Sequence, residues 1–414
     1  MAAEAHPNTV LPFEDARHVV ENHARNVPRP TNSESVPLLE SPGRIVAEAV
    51  LADRDFPPFP RATRDGYAVR AADVATVPAK LKLIGEIKAG ATLLSGEGNQ
   101  SLAAGETAAI MTGAPAPPGA DAVVMVEYTS RERDHVTIKR SVHSGENIVP
   151  VGSEARRGQV LLSAGHRVDY AAIALAASVG KTNLQGWRRP RIAILATGDE
   201  IVPITATPGP AQIRNSNSYS LAAQVQQRGG EPVILQVAPD EPKRLRELIE
   251  TGLHSDLLLL AGGVSMGKYD LVEQVVAELR AEIFFTGVLI QPGRPVVFGR
   301  LRDTYFFGLP GNPVSTMVTF ELFVRPMLDA VAGAVPTPLI FSKARLKADV
   351  KTKPGLTRFL PATLSGELDQ PEVALAAWQG SGDIAALARS NCYLVIPPDR
   401  ERIPAGEMVS VLMR

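Results

Sequence analysis

The sequence of 414 residues contains a single cysteine, Cys392. One thiol excludes an intrachain disulfide and any zinc site built from cysteines. A lone cysteine is typical of proteins from a reducing compartment. The formal net charge is only −1, so charge gives no reason to expect nucleic acid or an anionic membrane as a partner.

Long apolar runs are also missing. The longest ones, such as residues 171–179 and 257–261, are far shorter than the roughly 20 residues that span a bilayer. The first eleven residues contain Glu4 and no apolar core, which is unlike a secretory signal. We therefore predict a cytoplasmic protein with neither a membrane nor a nucleic acid as its partner.

What is present indicates a globular protein of several domains. Hydrophobic residues make up 45% and charged residues 21%, and a chain of this length exceeds a single hydrophobic core. Periodic apolar residues predict a helix over residues 13–24, a second over residues 36–52 and a third over residues 171–178. Residues 55–140 have short alternating runs between glycines and prolines, which predicts a compact β-rich module.

From residue 189 onwards, strands and helices alternate. The expected order is strand 192–196, helix 218–228, strand 232–237, helix 242–251, strand 256–260, helix 269–279, strand 304–307 and helix 314–330. This alternation predicts a parallel sheet covered by helices on both faces. The last segment, 337–414, returns to short strands and predicts a small β domain.

In such a sheet, ligands bind beyond the carboxyl ends of the strands. The first strand is followed by Thr197, Gly198, Asp199 and Glu200. Two adjacent carboxylates there could hold Mg²⁺, which prefers oxygen ligands and shares them with phosphate. The alternative is that Asp199 only caps a helix.

A glycine pair, Gly262 and Gly263, follows the next buried strand. Glycines at a strand end let the backbone approach a ligand and direct N–H groups at a phosphate. The sequence lacks the Gly-Lys-Ser/Thr of a P-loop and the glycine spacing of a dinucleotide-binding fold. A tight turn without a ligand is the alternative.

The strand at residues 304–307 is followed by Pro310, Gly311, Asn312 and Pro313. Pro313 suits the first turn of a helix and Asn312 its N-cap, and the free N–H groups of such a terminus favour an oxyanion. The run 214–218 also ends in helix-capping residues. Arg294 adds a positive charge suited to a phosphate or oxyanion, although an isolated arginine is usually a surface residue.

Taken in order, these elements resemble one family, the molybdopterin molybdotransferases (MoeA and the gephyrin E-domain). The motifs that carry the resemblance are Asp55-Phe56-Pro57-Pro58-Phe59, Asp65-Gly66-Tyr67-Ala68, Met111-Thr112-Gly113-Ala114, Gly119-Ala120-Asp121-Ala122-Val123-Val124, Thr197-Gly198-Asp199-Glu200, Gly262-Gly263-Val264-Ser265-Met266-Gly267, Pro292-Gly293 and Leu309-Pro310-Gly311-Asn312-Pro313-Val314-Ser315. No one motif is decisive, but the ordered set is specific.

The resemblance implies an α/β and β multidomain fold and a homodimer. Its central domain, residues 187–334, would be a MoaB/MogA-like three-layer α/β domain with a parallel-rich sheet. A split elongated domain would comprise residues 8–55 and 142–186, around a β-rich inserted module at residues 56–141. Residues 335–414 would form a C-terminal β domain.

The resemblance also implies a reaction, the insertion of molybdate into adenylylated molybdopterin with release of AMP, with Mg²⁺ as cofactor. Asp199 and Glu200 would hold the metal. The implied catalytic residues are Asp65, Thr112, Glu154, Asp240 and Asp270, with Asp65 and Thr112 coming from the other subunit. The implied substrate-binding residues are Thr197, Gly198, Asn215, Ser216, Gly262, Gly263, Ser265, Gln291, Arg294, Pro310, Gly311, Asn312, Pro313 and Ser315. Other cofactor-biosynthesis proteins or molybdoenzyme chaperones are further candidate partners.

Several positions depart from the family pattern. Gln291 and Gly287 stand where the family often has lysines, and a neutral Gln291 predicts weaker oxyanion binding or a greater reliance on Arg294. Glu154 replaces an aspartate, and Arg61-Ala62-Thr63-Arg64 places two cations before Asp65. Two other functions therefore stay open, an inactive cofactor carrier or scaffold and a molybdopterin adenylyltransferase. The choice between molybdate and tungstate also stays open.

Overall fold

The computed structural model describes residues 9–90, 101–263 and 271–414. The chain forms two compact units. The first comprises residues 1–47, 164–170 and 183–414, and the second comprises residues 48–163 and 171–182. None of the helices in these described ranges is long and apolar enough to cross a membrane.

The second unit is built around a six-stranded sheet. Its strand order is Ala122–Met125, Gly66–Val69, Glu106–Ile110, Ala79–Ile87, His135–Ile138 and Thr129–Glu132. Alternate residues bury opposite faces, since Ala68 and Val123 belong to one apolar cluster whereas Tyr67 and Val124 belong to another. This period of two is that of a strand, and it confirms the predicted β-rich character.

Smaller elements complete the second unit. They are the strand pairs Val50–Leu51 with Val160–Leu162 and Arg61–Ala62 with Ile148–Val149, the 3₁₀ turns Ala71–Val74 and Val126–Tyr128, and nearly all of the helix Tyr170–Ser178.

The helix predicted over residues 36–52 is wrong. The chain there forms a strand, Ser33–Pro37, a 3₁₀ turn, Leu38–Glu40, and later the strand Val50–Leu51. Pro42 and Gly43 prevent a continuous helix, since Gly43 has a φ of +77° and proline lacks the N–H that a helix interior requires. Ser33–Pro37 instead pairs with Asn183–Trp187 in the first unit.

A mixed sheet forms the centre of the first unit. Its strand order is Glu231–Ile234, Arg191–Ala196, Leu257–Ala261, Thr304–Leu309, Val297–Leu301 and Glu282–Phe285. The first four strands are parallel to one another, as predicted. Each of the last two strands pairs antiparallel with the strand before it in this order. The sequence did not predict these last two strands.

Helices cover both faces of this central sheet. One face carries Phe13–Arg25, Asn217–Gln227 and the consecutive helical segments Pro313–Thr319, Phe320–Val324 and Arg325–Val331, and the other carries Pro242–Gly252 and Leu271–Glu278. Along one strand, Ile192 and Ile194 are buried with the first group of helices and Ala193 and Leu195 with the second. The three-layer α/β architecture is therefore confirmed.

The C-terminal part of the first unit is a closed β sheet. Its strand order is Ile290–Gln291, Thr357–Ser365, Glu372–Leu375, Phe341–Leu346, Met408–Met413 and Cys392–Ile396, and the last strand pairs back with Thr357–Ser365. A short helix, Ile384–Ala388, follows Asp383, whose carboxylate accepts a hydrogen bond from the Ala386 amide at 3.0 Å.

Three further strand pairs in the first unit join Val10–Leu11 to Gly287–Val288, Ile201–Val202 to Ile213–Arg214, and Val350–Lys351 to Arg402–Ile403.

The two large sheets of the first unit share one apolar core. Phe13 lies edge-on to Phe359 of the C-terminal sheet, with ring centroids 4.9 Å apart, and 6.2 Å from Phe323 beside the central sheet. Tyr393 of the C-terminal sheet is 1% exposed in the same cluster. The central sheet, whose carboxyl edge carries the loops described below, is thus packed against the C-terminal sheet through one continuous apolar core.

Candidate functional site

A cleft of about 740 Å³ lies at the carboxyl ends of the central parallel strands. This is where a parallel α/β sheet is expected to bind a ligand. The cleft is lined by loops that follow Arg191–Ala196, Leu257–Ala261 and Thr304–Leu309. It brings together ten of the predicted residues, namely Thr197, Glu200, Asn215, Ser216, Gly262, Gly263, Pro310, Gly311, Asn312 and Pro313.

The glycine pair forms a wall that admits no larger side chain. Gly262 and Gly263 have φ values of +96° and +64°, which L-residues with a Cβ rarely adopt. A Cβ at Gly263 would lie 2.7 Å from Val272 Cγ2 and 2.8 Å from Thr197 Oγ1. The Gly262 amide donates to the Leu309 carbonyl at 3.1 Å, so the ends of two strands are held together beside an open space.

A second wall is built by asparagines at the start of the helix Asn217–Gln227. Asn215 is 7% exposed, and its side-chain oxygen accepts a hydrogen bond from the Ser218 amide at 3.1 Å. Asn217 Nδ2 donates to the Gly311 carbonyl at 2.7 Å. Asn217 therefore fixes the turn at Gly311 to this helix, a role that the sequence did not assign to it.

The third loop has the predicted position but a different hydrogen-bond pattern. Pro313 begins the helix and Asn312 occupies the N-cap position, yet the Asn312 side chain makes no capping hydrogen bond. The Val314 amide donates to the Ser381 carbonyl at 3.0 Å, so it is not free for an oxyanion. Ser315 is 3% exposed and does not line the cleft.

Carboxylates gather at an adjoining cleft of about 660 Å³, which Thr197, Gly198, Glu200 and Asp240 help to line. Asp199 Oδ1 accepts a hydrogen bond from the Asp240 amide at 3.0 Å. Partial burial, followed by the charges of Asp199 and Glu200, raises the pKa of the Asp240 carboxyl. We call Asp199, Glu200 and Asp240 the acidic edge.

The alternative reading of Asp199 as a helix cap is wrong. The segment after Glu200 is the strand Ile201–Val202, which pairs with Ile213–Arg214. Asp199 instead fixes the Asp240 loop through the hydrogen bond from the Asp240 amide. Asp199 and Glu200 are both exposed, and Glu200 lines both clefts.

Within the described ranges, no group of three or more His, Cys, Asp and Glu side chains is arranged to hold a metal ion by itself. Mg²⁺ usually keeps several waters and takes one or two carboxylates together with phosphate oxygens of a substrate. The acidic edge fits that donor set, since Asp199, Glu200 and Asp240 are all exposed.

Three predicted residues lie in the second unit. Asp65 Oδ1 accepts a hydrogen bond from the Thr112 amide at 2.6 Å. This bond, with a further one from the Thr112 hydroxyl, lowers the pKa of the Asp65 carboxyl. Glu154 forms an ion pair with Arg61 at 2.6 Å. The glutamate that replaces the family aspartate therefore neutralises one of the two cations that precede Asp65.

The remaining predicted residues do not join the main cleft. Gln291 lines a separate pocket of about 500 Å³. Arg294 is exposed, and its backbone carbonyl accepts hydrogen bonds from the Val288 and Val296 amides. Ser265 and Asp270 lie outside the described residues.

Comparison with known families matches three models along the chain. They are "MoeA N-terminal region (domain I and II)" over residues 11–180, "Probable molybdopterin binding domain" over residues 193–330 and "MoeA C-terminal region (domain IV)" over residues 343–413. The chain belongs to the molybdopterin molybdenumtransferase family. The resemblance inferred from the ordered motifs is confirmed.

Relatives of this family match over nearly their full length. A molybdopterin molybdenumtransferase from a Nostoc species is 34% identical over 98% of this chain and 95% of its own. The Bacillus subtilis protein of the same name is 33% identical over 92% and 90%. The crystal structure of a MoeA protein from Pyrococcus horikoshii superposes with a TM-score of 0.77 at 28% identity, and covers 98% of this chain and 100% of that one.

Proposed function

We propose that this chain is a Mg²⁺-dependent enzyme that inserts molybdate into adenylylated molybdopterin, releasing AMP and forming molybdenum cofactor. The observation that carries the proposal is the acidic edge, which borders a glycine-walled cleft at the carboxyl ends of the parallel strands. Family membership over the whole chain supports it. We further propose that the protein works as a homodimer in the cytoplasm.

The cleft suits a ligand with a flat ring system and a phosphate. Glycine-rich and proline-rich turns at Gly262, Gly263 and Pro310–Pro313 keep bulky side chains out of it. Asn215, Ser216 and Thr197 place amide and hydroxyl groups along the walls. A few polar groups around a mostly apolar space are the usual composition of a small-molecule site.

Asp199 and Glu200 would hold Mg²⁺, which supplies neutralisation of the charge that develops when a phosphoanhydride is cleaved. The protein prepares this edge in two ways. The Asp240 amide orients the Asp199 carboxylate by a hydrogen bond. Three nearby acids also give the edge a negative potential, which attracts a cation and raises the pKa of Asp240.

The test is AMP release from adenylylated molybdopterin by the purified full-length protein with Mg²⁺ and molybdate. We expect release that requires both additions and falls by about 10²-fold in Asp199→Asn, since one positioned group usually contributes on that order. Asp303→Asn is the matched control. Asp303 lies directly before the strand Thr304–Leu309, at the end of the strand opposite to the cleft. Equal activity of Asp199→Asn and wild type would remove Asp199 from the reaction.

The same assay separates the two other functions. An adenylyltransferase would release pyrophosphate from ATP and would leave the adenylylated substrate intact. A carrier would bind adenylylated molybdopterin tightly and release no AMP under any metal or molybdate concentration. Either result would contradict the proposed reaction.

A further inference from the structure

Arg358 is a buried cation in the C-terminal sheet. It lies on the strand Thr357–Ser365, and the residue is 7% exposed. Its Nε donates to Gln291 Oε1 at 2.8 Å, and its Nη1 donates to the Leu356 carbonyl at 3.1 Å. Nη2 makes no hydrogen bond to any described residue, so part of the guanidinium is free to bind something else.

Nothing among the described residues neutralises this charge. No Asp or Glu of the described chain lies within ion-pair distance of Arg358. By contrast, the similarly buried Arg44 pairs with Glu34, and even the less buried Arg167 pairs with Asp329. Burial alone lowers the pKa of the Arg358 guanidinium, with no acid acting in the opposite direction. An uncompensated buried charge is strongly destabilising, so we expect a bound anion to complete the site.

The surroundings of Arg358 reinforce the need for an anion. It lines the pocket of about 500 Å³ together with Gln291, Lys351, Thr352 and Lys353. Both lysines are exposed, and Lys351 lies close enough to Asp349 to contribute to the lowered pKa of that carboxyl. The Thr352 hydroxyl is buried and has no hydrogen-bond partner within the described ranges. Three cationic residues and a residue with an unused hydroxyl thus line one opening, which we call the cationic pocket.

We propose that the cationic pocket binds a tetrahedral oxyanion through Arg358, and that Gln291 is the positioning residue that orients the guanidinium. The identity of the anion as molybdate rests on the proposed function, and sulfate shares the same chemistry. A planar guanidinium donates two parallel hydrogen bonds to an oxyanion, which an ammonium cannot do.

This assignment reverses the expectation for position 291. A glutamine side chain accepts a hydrogen bond from Arg358 Nε, whereas a lysine there has no acceptor and would add a like charge beside the guanidinium. Gln291 and Arg358 therefore act as a pair, in which the cation comes from the C-terminal sheet. Restoring the family lysine at position 291 should weaken the site rather than strengthen it.

The experiment measures molybdate and sulfate binding to the full-length protein by equilibrium dialysis, without any pterin. Arg358→Gln should weaken both affinities by about tenfold or more, the usual worth of a charged hydrogen-bonding pair. Arg358→Lys should recover only part of the affinity, and Gln291→Lys should lose severalfold. The control Arg345→Gln removes the same charge from an exposed arginine on the strand Phe341–Leu346, which does not line the cationic pocket. Its affinity for both anions should stay within about twofold of wild type, because an exposed charge contributes little.

Thermal unfolding guards against a folding artefact. Because Arg358 lacks a counter-ion, Arg358→Gln should melt at or above the wild-type temperature in anion-free buffer, and molybdate should raise the melting temperature of wild type only. Unchanged affinity in Arg358→Gln would overturn the inference, as would the absence of wild-type binding at millimolar anion.

The outcome is distinguishable from failure of the proposed reaction. Arg358-dependent oxyanion binding without AMP release would leave the cationic pocket intact and remove the transferase. AMP release with the same molybdate dependence in wild type and Arg358→Gln would leave the transferase intact and overturn the assignment of molybdate to the cationic pocket.

Discussion

The Asp199 carboxylate accepts a hydrogen bond from the backbone amide of Asp240 at 3.0 Å. This bond joins the loop after the strand Arg191–Ala196 to the loop before the helix Pro242–Gly252. It therefore holds acidic side chains from two loops close together before any ligand is present. Their mutual repulsion is a strain in the free protein that a divalent cation would relieve.

We predict that Asp240→Asn stabilises the free protein at neutral and alkaline pH. The raised pKa of Asp240 means that the folded state holds this proton more tightly than the unfolded chain. The contribution of this proton to the free energy of unfolding is fully present below the pKa of Asp240 in the unfolded chain. It is lost as the pH rises through the pKa of Asp240 in the folded protein. The melting temperature of Asp240→Asn at pH 8 should exceed that of wild type by about 1 °C, the scale of a surface charge effect.

This gain should shrink as the pH is lowered towards 4, where the wild-type carboxyl also becomes neutral. Asp303→Asn, which lies outside the acidic edge, should give no pH-dependent gain. A lower melting temperature of Asp240→Asn at pH 8 would show that Asp240 is not under repulsion.

The Thr112 hydroxyl should tune the titration of Asp65. The amide of Thr112 contributes most to the lowered pKa of Asp65 and the hydroxyl contributes next. Thr112→Val removes only the hydroxyl, so the pKa of Asp65 should rise while staying below its ordinary value. The carboxyl carbon resonance of Asp65, assigned by its loss in Asp65→Asn, reports this pKa by NMR.

Thr112→Ser keeps the hydroxyl and should reproduce the wild-type titration. The sign for stability is opposite to that of Asp240. A lowered pKa contributes stability above the unfolded pKa, and this stability is lost as the pH falls through the folded pKa. An identical Asp65 titration in Thr112→Val and wild type would assign the whole effect to the backbone amide.

Gly263→Ala should damage both the fold and the cleft. Gly263 and Gly406 have φ values of +64° and +86°, so alanine at either site costs about 1 kcal/mol of backbone strain. Only Gly263 would also bring a Cβ against Val272 and Thr197, since Gly406 has nothing within 4 Å of the added atom. Urea unfolding should therefore show a larger loss for Gly263→Ala than for Gly406→Ala.

Binding of adenylylated molybdopterin adds a second measurement for this pair. Its affinity should fall in Gly263→Ala and stay at the wild-type value in Gly406→Ala. Equal stability losses and equal affinities in the two variants would mean that the wall at Gly263 is less closely packed than the structure shows.

Asn217→Ala should loosen the turn at Gly311. The lost hydrogen bond from Asn217 Nδ2 to the Gly311 carbonyl is worth about 1 kcal/mol, so KM for adenylylated molybdopterin should rise severalfold with little change in kcat. Gln226→Ala is the control, because Gln226 is exposed on the same helix. A fall in kcat with unchanged KM would instead place Asn217 in the chemical step.

The sequence predicted the features that depend on local pattern. Apolar strands of the Arg191–Ala196 type and the amphipathic helices between them follow from periodicity, and the parallel sheet follows from their alternation. The acidic edge and the glycine wall were predictable because ligands bind at one defined edge of such a sheet. Glu282–Phe285 and Val297–Leu301 were missed, since antiparallel strands that follow one another without a helix leave no such alternation.

Contacts between residues that are far apart in the sequence could not be predicted from local pattern. Gln291 and Arg358 are 67 residues apart, and nothing local to either position indicates the other. Alone, Gln291 suggested only a missing charge. The side chain of Asn217 likewise reaches Gly311 through the tertiary fold, and the free Val314 amide expected from a helix start is used by Ser381.

The packing of Phe13 against Phe323 and Phe359 decides how this protein can be divided or recombined. The strand Ile290–Gln291, although it precedes the last helix of the α/β layer, pairs with Thr357–Ser365 of the C-terminal sheet. A fragment cut after Val331 would expose these aromatic rings and leave that strand without its neighbour. The C-terminal sheet is therefore not an exchangeable cassette, and chimaeras between relatives should keep both sheets and the first helix from one parent.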